Sequence, residues 1–179
     1  MLKKILSYGG VAGLIAGGVL SALVLGFGER GPSGWLGMLI GYLTMLVALS
    51  LVFVAVKRHR DQALGGVIRF WPAFALGLGV SFVASVIYAL AWDAALAVTG
   101  IDFAGRYADA VIEQQKAKGL GGEALAKLVA DMERFKADYA NPAYRLPMTF
   151  TEIFPVGVVV SLLSAAVLRN PRVLPAQGG

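Results

Sequence analysis

Apolar residues gather along this chain in four long runs separated by polar connections: Ile5 to Phe27, Trp35 to Val56, Phe70 to about Ala97, and Met148 to Leu168. The second run is the clearest. Its twenty-two residues carry no charge, and a helix rising about 1.5 Å per residue covers the roughly 30 Å hydrocarbon core of a bilayer over that length. The other runs are of similar length. The pattern therefore predicts an all-α bundle of four transmembrane helices, one integral membrane domain over residues 1–179, with both termini on the same side.

The connection from Gly100 to Arg145 is too long and too patterned to be a plain loop. After Gly122, apolar residues fall at Leu125, Leu128, Val129, Met132, Phe135 and Tyr139, the stripe of an amphipathic helix. A shorter helix from Ala104 to Lys118 places Tyr107, Val111 and Ile112 on one side, and Gly119-Leu120-Gly121-Gly122 supplies the break. Together they predict an amphipathic helical hairpin over about residues 103–140 in the third loop. Its apolar stripe could pack on itself or on the bundle, lie on the outer membrane surface, or bind a partner. Helix stripes are most often core, which favours the first.

Within the runs, small residues recur at four-residue spacing. Gly9, Gly13, Gly17 and Ser21 line the first; Gly37 and Gly41 the second; Ala73, Gly77, Ser81, Ser85 and Ala89 the third; Gly157, Ser161 and Ala165 the fourth. In lipid, where burying apolar surface gives no net drive between helices, flat faces of this kind let backbones approach and gain dispersion contacts. They are expected chiefly to pack the bundle together, with a homo-oligomer seam as the alternative.

Composition agrees with a membrane chain: 58% of residues are hydrophobic, and the mean hydropathy is +0.71. The net charge of +5 would suggest nucleic acid only if it formed one solvated face. Topology sorts it instead, so no nucleic-acid partner is expected. Lys3, Lys4, Lys57, Arg58, Arg60, Arg69, Arg169 and Arg172 share one predicted side with a single acid, Asp61, whereas the opposite side holds eight basic and eight acidic residues. The short loops orient the protein, because basic loops stay in the cytoplasm. Lys57 to Asp61 is read as a dense basic turn ending the second helix. The amino terminus has the basic start and apolar run of a signal peptide, but Ile5 to Phe27 far exceeds the usual core of about 7–15 residues, which favours a retained helix.

Candidate chemistry is sparse. The chain has no cysteine and one histidine, so neither a thiolate nucleophile nor a clustered zinc site can be assembled. His59 reads as an interfacial residue. Gly26-Phe27-Gly28-Glu29-Arg30-Gly31 matches GxGxxG but ends a membrane helix rather than joining a strand to a helix, so no dinucleotide cofactor is implied. Two carboxylates remain. Asp93 follows Tyr88 and Trp92, residues of the interfacial-belt type, which places it at the outer boundary. Glu152 lies about 6 Å into a helix beginning near Met148. It either completes a Thr149-Phe150-Thr151-Glu152 capping box or belongs to a functional polar site with Asp93 and Arg145. Pro155 then falls early in that helix, as a kink or a later true start.

Several segments resemble a known family. Gly41-Tyr42-Leu43-Thr44-Met45-Leu46-Val47-Ala48-Leu49-Ser50-Leu51-Val52-Phe53 runs into Lys57-Arg58-His59-Arg60-Asp61, and Gly65-Gly66, Phe70, Ile87-Tyr88 and Trp92 follow. Asn141-Pro142, Arg145, Phe150-Thr151-Glu152-Ile153-Phe154-Pro155-Val156-Gly157 and Ser161-Leu162-Leu163-Ser164-Ala165 complete the pattern. Over nearly its whole length the chain resembles the bacterial membrane proteins grouped as domain of unknown function 4199. The resemblance implies a four-helix inner-membrane protein and brings no activity. The family carries Tyr where His59 stands, which argues against a catalytic role there.

The expected function is a non-enzymatic membrane scaffold or partner-binding subunit without a cofactor, in contact with the lipid bilayer and with a membrane-protein partner or a second copy. A small proton-coupled carrier using Glu152 and Asp93 is the alternative. The charge sorting is testable: a topology reporter fused after Gly119 should read extracytoplasmic and one fused after Asp61 cytoplasmic. The reverse result would overturn the orientation.

Overall fold

The structure, a computed structural model, describes residues 1–27 and 34–175. Among these the chain forms six helices: α1 (Leu2–Phe27), α2 (Gly34–Ala63), α3 (Phe70–Thr99), α4 (Phe103–Ala117), α5 (Gly122–Tyr139) and α6 (Pro142–Leu168). Helices α1, α2, α3 and α6 are long and apolar enough to cross a membrane. Most of the GxGxxG motif lies outside the described residues.

Two boundaries differ from those expected. Helix α2 does not stop at Val56 in a basic turn; it continues through Lys57 to Ala63, so the basic residues project from helical turns. The break comes at Gly65 and Gly66, whose φ values of +63° and +89° only glycine adopts without strain, and the Gly66 N–H closes the helix end on the Arg60 carbonyl at 3.0 Å. Helix α6 starts at Pro142 rather than near Met148. Asn141 caps it, accepting a hydrogen bond from the Ala143 N–H at 3.0 Å, and Pro142 occupies the first turn, where its missing donor has no partner to lose. Pro147 and Pro155 both lie inside this helix.

Helix α3 is the central post. It packs along α1 on one side and α6 on another, and α2 leans on all three. The approach of α1 is set by glycine. A Cβ on Gly9 would sit 2.7 Å from the Val83 Cβ and 2.8 Å from the Val80 carbonyl. On Gly13 it would meet Ile87 at 2.7 Å and the Ala84 carbonyl at 2.8 Å, and on Gly17 it would meet Ala91 at 2.6 Å. The four-residue ladder on α1 thus meshes with a four-residue ladder on α3.

A second tight seam joins α3 to α6. Gly157 lies against Ser81, where a Cβ would come within 2.6 Å of the serine Cβ, and Gly77 lies against Ser161 at 3.0 Å. The serines are fully buried and satisfy one another: Ser81 Oγ donates to the Gly157 carbonyl and lies 3.1 Å from Ser161 Oγ, while Ser161 Oγ bonds the same carbonyl at 2.7 Å. Gly41 behaves differently from the other small residues. Nothing lies within 4 Å of the position its Cβ would take; it opens on an apolar groove beside Ala16, Leu20, Met45 and Tyr88. Gly37 is partly exposed.

Helices α4 and α5 form the hairpin and pack on each other, turning at Gly119 with φ +88°. Leu125, Leu128, Met132 and Phe135 are half-buried and Tyr139 is buried, so most of the stripe is spent inside the hairpin and at its base. Val129, 37% exposed, stays outside.

The glycine ladder makes a sharp contrast available. Gly13→Leu should lower stability by about 3 kcal/mol or more through overpacking against backbone, whereas Gly41→Leu, with open space beside it, should leave it unchanged or raise it by up to about 1 kcal/mol. Thermal unfolding of the two purified variants in one detergent checks this, and equal losses would contradict the seam.

Candidate functional site

The bundle has two polar ends. At the hairpin end, α3 contributes Asp93 and the first turn of α6 contributes Arg145. The Arg145 Nε donates to Asp93 Oδ1 at 2.9 Å, a second guanidinium nitrogen donates to the same oxygen, and a third donates to the Tyr139 carbonyl at 3.1 Å. The guanidinium carbon also stands 5.7 Å from the Tyr139 ring centre, close enough for a cation–π contribution. One residue earlier on α3, Trp92 Nε1 donates to the Tyr139 hydroxyl at 2.7 Å. Phe103, Tyr107 and Phe135 complete an aromatic box, with Trp92 to Phe103 at 5.2 Å and Tyr107 to Phe135 at 5.5 Å between ring centres. Burial pushes the Tyr139 phenol above its ordinary pKa, against the pull of the Trp92 hydrogen bond.

This arrangement corrects the reading of Tyr88 and Trp92 as interfacial-belt residues. They are 5% and 7% exposed. Trp92 is roofed by the hairpin, whose aromatic rings supply the apolar cover and whose Tyr139 supplies the acceptor its indole needs. Sequence spacing alone gave no sign that the hairpin base would fold back over this turn of α3.

The three candidate polar residues do not form one site. Asp93 and Arg145 pair, whereas Glu152 lies seven residues further along α6, about 10 Å deeper by helical rise. The capping box does not form. Because α6 begins at Pro142, Thr149 sits two turns inside the helix, and its Oγ1 donates to the Arg145 carbonyl at 3.0 Å. Glu152 is exposed at the bundle surface, and its carboxyl lies beside the Tyr88 hydroxyl. Below the hairpin an open cleft of about 300 Å³ reaches Asp102, Phe103, Lys136, Tyr139 and Arg145, but not Glu152. Among the described residues no group of three or more His, Asp or Glu side chains is placed to hold a metal ion.

The other polar end was legible only in part. Arg60 is completely buried. Its Nε donates to Asp61 Oδ1 at 2.7 Å, and its remaining nitrogens reach the carbonyls of Val173 at 2.9 Å, Leu168 at 3.4 Å and Leu174. Lys57 holds the second Asp61 oxygen at 2.6 Å. The segment following α6 is therefore bound to the end of α2 by a guanidinium whose donors are met by one carboxylate and three backbone carbonyls. Nearby, Lys4 Nζ donates to the Arg58 carbonyl at 3.2 Å and to Gln62 Oε1 at 3.3 Å, and an Arg58 nitrogen donates to the Tyr8 hydroxyl at 3.2 Å. These bonds gather the start of α1, the end of α2 and the segment after α6 at one end of the bundle. His59 is partly buried, and its Nδ1 has no hydrogen-bond partner.

Comparison with curated proteins and with solved structures gives no match. Residues 10–170 match the family described as "Protein of unknown function (DUF4199)", and the chain, with its four membrane-length helices, belongs to that family.

Proposed function

We propose that this protein is a non-enzymatic, multi-pass subunit of a bacterial inner membrane that binds a membrane-protein partner, with its termini in the cytoplasm and the hairpin outside. The observation that carries this reading is the position of Glu152. A carboxylate at the centre of a membrane helix costs about 2.5–3.5 kcal/mol on insertion scales, and such groups usually face protein or water. Here the carboxyl has the Tyr88 hydroxyl beside it, while the side chain as a whole stands exposed at the bundle surface. A partner helix offering a hydrogen-bond donor or a cation would cover it.

Packing supports the same reading. The glycine faces of α1, α3 and α6 are consumed inside the bundle, so they do not compete as an oligomer seam. Free surface remains along α2, where Leu43, Leu46 and Val47 are more than half exposed, and on the hairpin arm. The arm is held at a defined angle by the Asp93–Arg145 pair and the Trp92–Tyr139 bond, as a docking element requires. The second reading is a carrier, favoured by the same proximity of Glu152 to Tyr88, which could pass a proton. It needs a water path to Glu152, and neither described cavity includes that residue.

The readings part on one residue. In nanodiscs cut directly from native membrane, the wild type should run larger than a monomer, and Glu152→Leu should return it to monomer mass with Glu152→Gln between them. Wild-type monomers throughout would sink the partner reading, and so would a Glu152→Leu complex of unchanged size. The arm is tested separately: Arg145→Leu leaves the half-buried Asp93 unpaired and should cost about 3 kcal/mol in unfolding free energy, with Asp93→Asn in the same chain recovering part of the loss.

A further inference from the structure

The end of the bundle that carries the termini holds more positive charge than its own acids can meet. Asp61 is the acid there, and Lys57 and Arg60 occupy both its oxygens. Among the described residues, Lys3, Lys4, Arg58, Arg69, Arg169 and Arg172 have no carboxylate within ion-pair distance. Like charges held together this way raise the energy of the fold unless an anion joins them.

Two of these cations are brought side by side by neutral groups. Lys4 from α1 and Arg58 from α2 are linked through the Arg58 carbonyl, the Gln62 amide oxygen and the Tyr8 hydroxyl. Those contacts fix the positions of both side chains without neutralising either. An ammonium has three donors and a guanidinium five, so donors remain on each for an external acceptor. Arg58 is exposed and Lys4 half-buried. A tetrahedral phosphate bridging them would meet charge-assisted hydrogen bonds from two helices.

The surroundings point to a lipid as the source of that phosphate. On α1 the residues one, two and three turns inward from Lys4 on the same face are Tyr8, Val11 and Ile15, the last two exposed and apolar. An apolar groove lined by Val19, Leu20, Gly41 and Met45 lies further along α1 and α2, about 20 Å from Lys4 by helical rise. At the same end Trp71, in the first turn of α3, is 72% exposed beside Arg69, in keeping with an indole at headgroup level. A charged head site standing above exposed apolar side chains matches an amphiphile better than a free ion.

We propose that Lys4 and Arg58, positioned by Tyr8 and Gln62, bind the phosphate of an anionic phospholipid whose acyl chain runs along the exposed Val11 and Ile15 of α1. This rests on the membrane placement above but not on the partner reading, since it involves neither Glu152 nor the hairpin.

The test is native mass spectrometry of the full chain titrated with phosphatidylglycerol, with phosphatidylcholine and with inorganic phosphate. Phosphatidylglycerol should give a saturable one-lipid adduct, and Lys4→Gln with Arg58→Gln should weaken it about thirtyfold, following the roughly additive effect of each cation near a headgroup. Arg169→Gln with Arg172→Gln, which removes equal charge at the same end, should weaken it less than about threefold. Circular dichroism confirms that each variant remains helical; should the double variant unfold, Tyr8→Phe with Gln62→Leu, which releases the two cations without removing them, replaces it and should weaken the adduct. Equal weakening by both charge-removing pairs would reduce the effect to diffuse attraction and overturn the proposal. So would equal binding of phosphatidylcholine, or binding of inorganic phosphate that depends on Lys4 and Arg58 as strongly as the lipid does.

Discussion

The distance between α1 and α3 governs the rest of this bundle. Three glycines one helical turn apart allow the α1 backbone to lie against the side-chain stems and carbonyls of α3, where any Cβ would fall within about 2.8 Å of its neighbours. In a bilayer, helix association draws little on the hydrophobic effect and much on dispersion, which decays steeply with separation. Close contact is therefore the source of cohesion. With α1 on one flank of α3 and α6 seated by Gly157 on another, α3 presents its buried side chains to every other long helix. On α2, Gly41 meets no neighbour in this way, and a groove remains beside it.

The two ends are closed by different chemistry. At the hairpin end an arginine at the start of α6 reaches an aspartate near the end of α3, and a tryptophan is covered by an aromatic box from the hairpin. At the other end a fully buried guanidinium is divided between a neighbouring carboxylate and the carbonyls of the segment after α6. A buried cation is tolerable only when nearly all its donors are met. Arg60 satisfies that requirement by recruiting backbone more than one hundred residues away. The basic segment is thus split by geometry: Lys57 and Arg60 serve the fold, while Arg58 stays exposed.

Much of the fold is legible in the sequence. Four runs of apolar residues, the amphipathic stripe from Leu125 to Tyr139 and the glycine break at Gly119 each express a local periodicity that helix geometry converts directly into an element. The candidate site was less readable. Asp93 and Arg145 stood out as charges at the ends of apolar runs, yet nothing in their spacing showed that they pair. Thr149 and Glu152 satisfied the arithmetic of a capping box, and the stronger start signal at Asn141-Pro142 overrode it. Tyr88 and Trp92 had the right identity for a membrane interface and the wrong surroundings, because burial depends on what packs over a residue.

By itself, the sequence determined which segments are helical and apolar, that a helical hairpin stands between the third and fourth of them, and which family the chain belongs to. Those properties are local or additive along the chain: a helix needs only its own residues in the right period. Tertiary structure decided that the ladder on α1 meets α3 rather than a second copy, that Gly41 faces an open groove, and that Arg60 clamps the distant segment after α6. It also decided that Glu152 stands apart from the Asp93–Arg145 pair. Each of these depends on the crossing and rotation of helices against one another, and a face of small residues or a single charge specifies what can approach it without naming what does. The basic stretch from Lys57 to Asp61 shows both levels at once: its charge was legible in the sequence, and its division into buried clamp and exposed cation arose only when α2 continued as helix between α1 and the chain beyond α6.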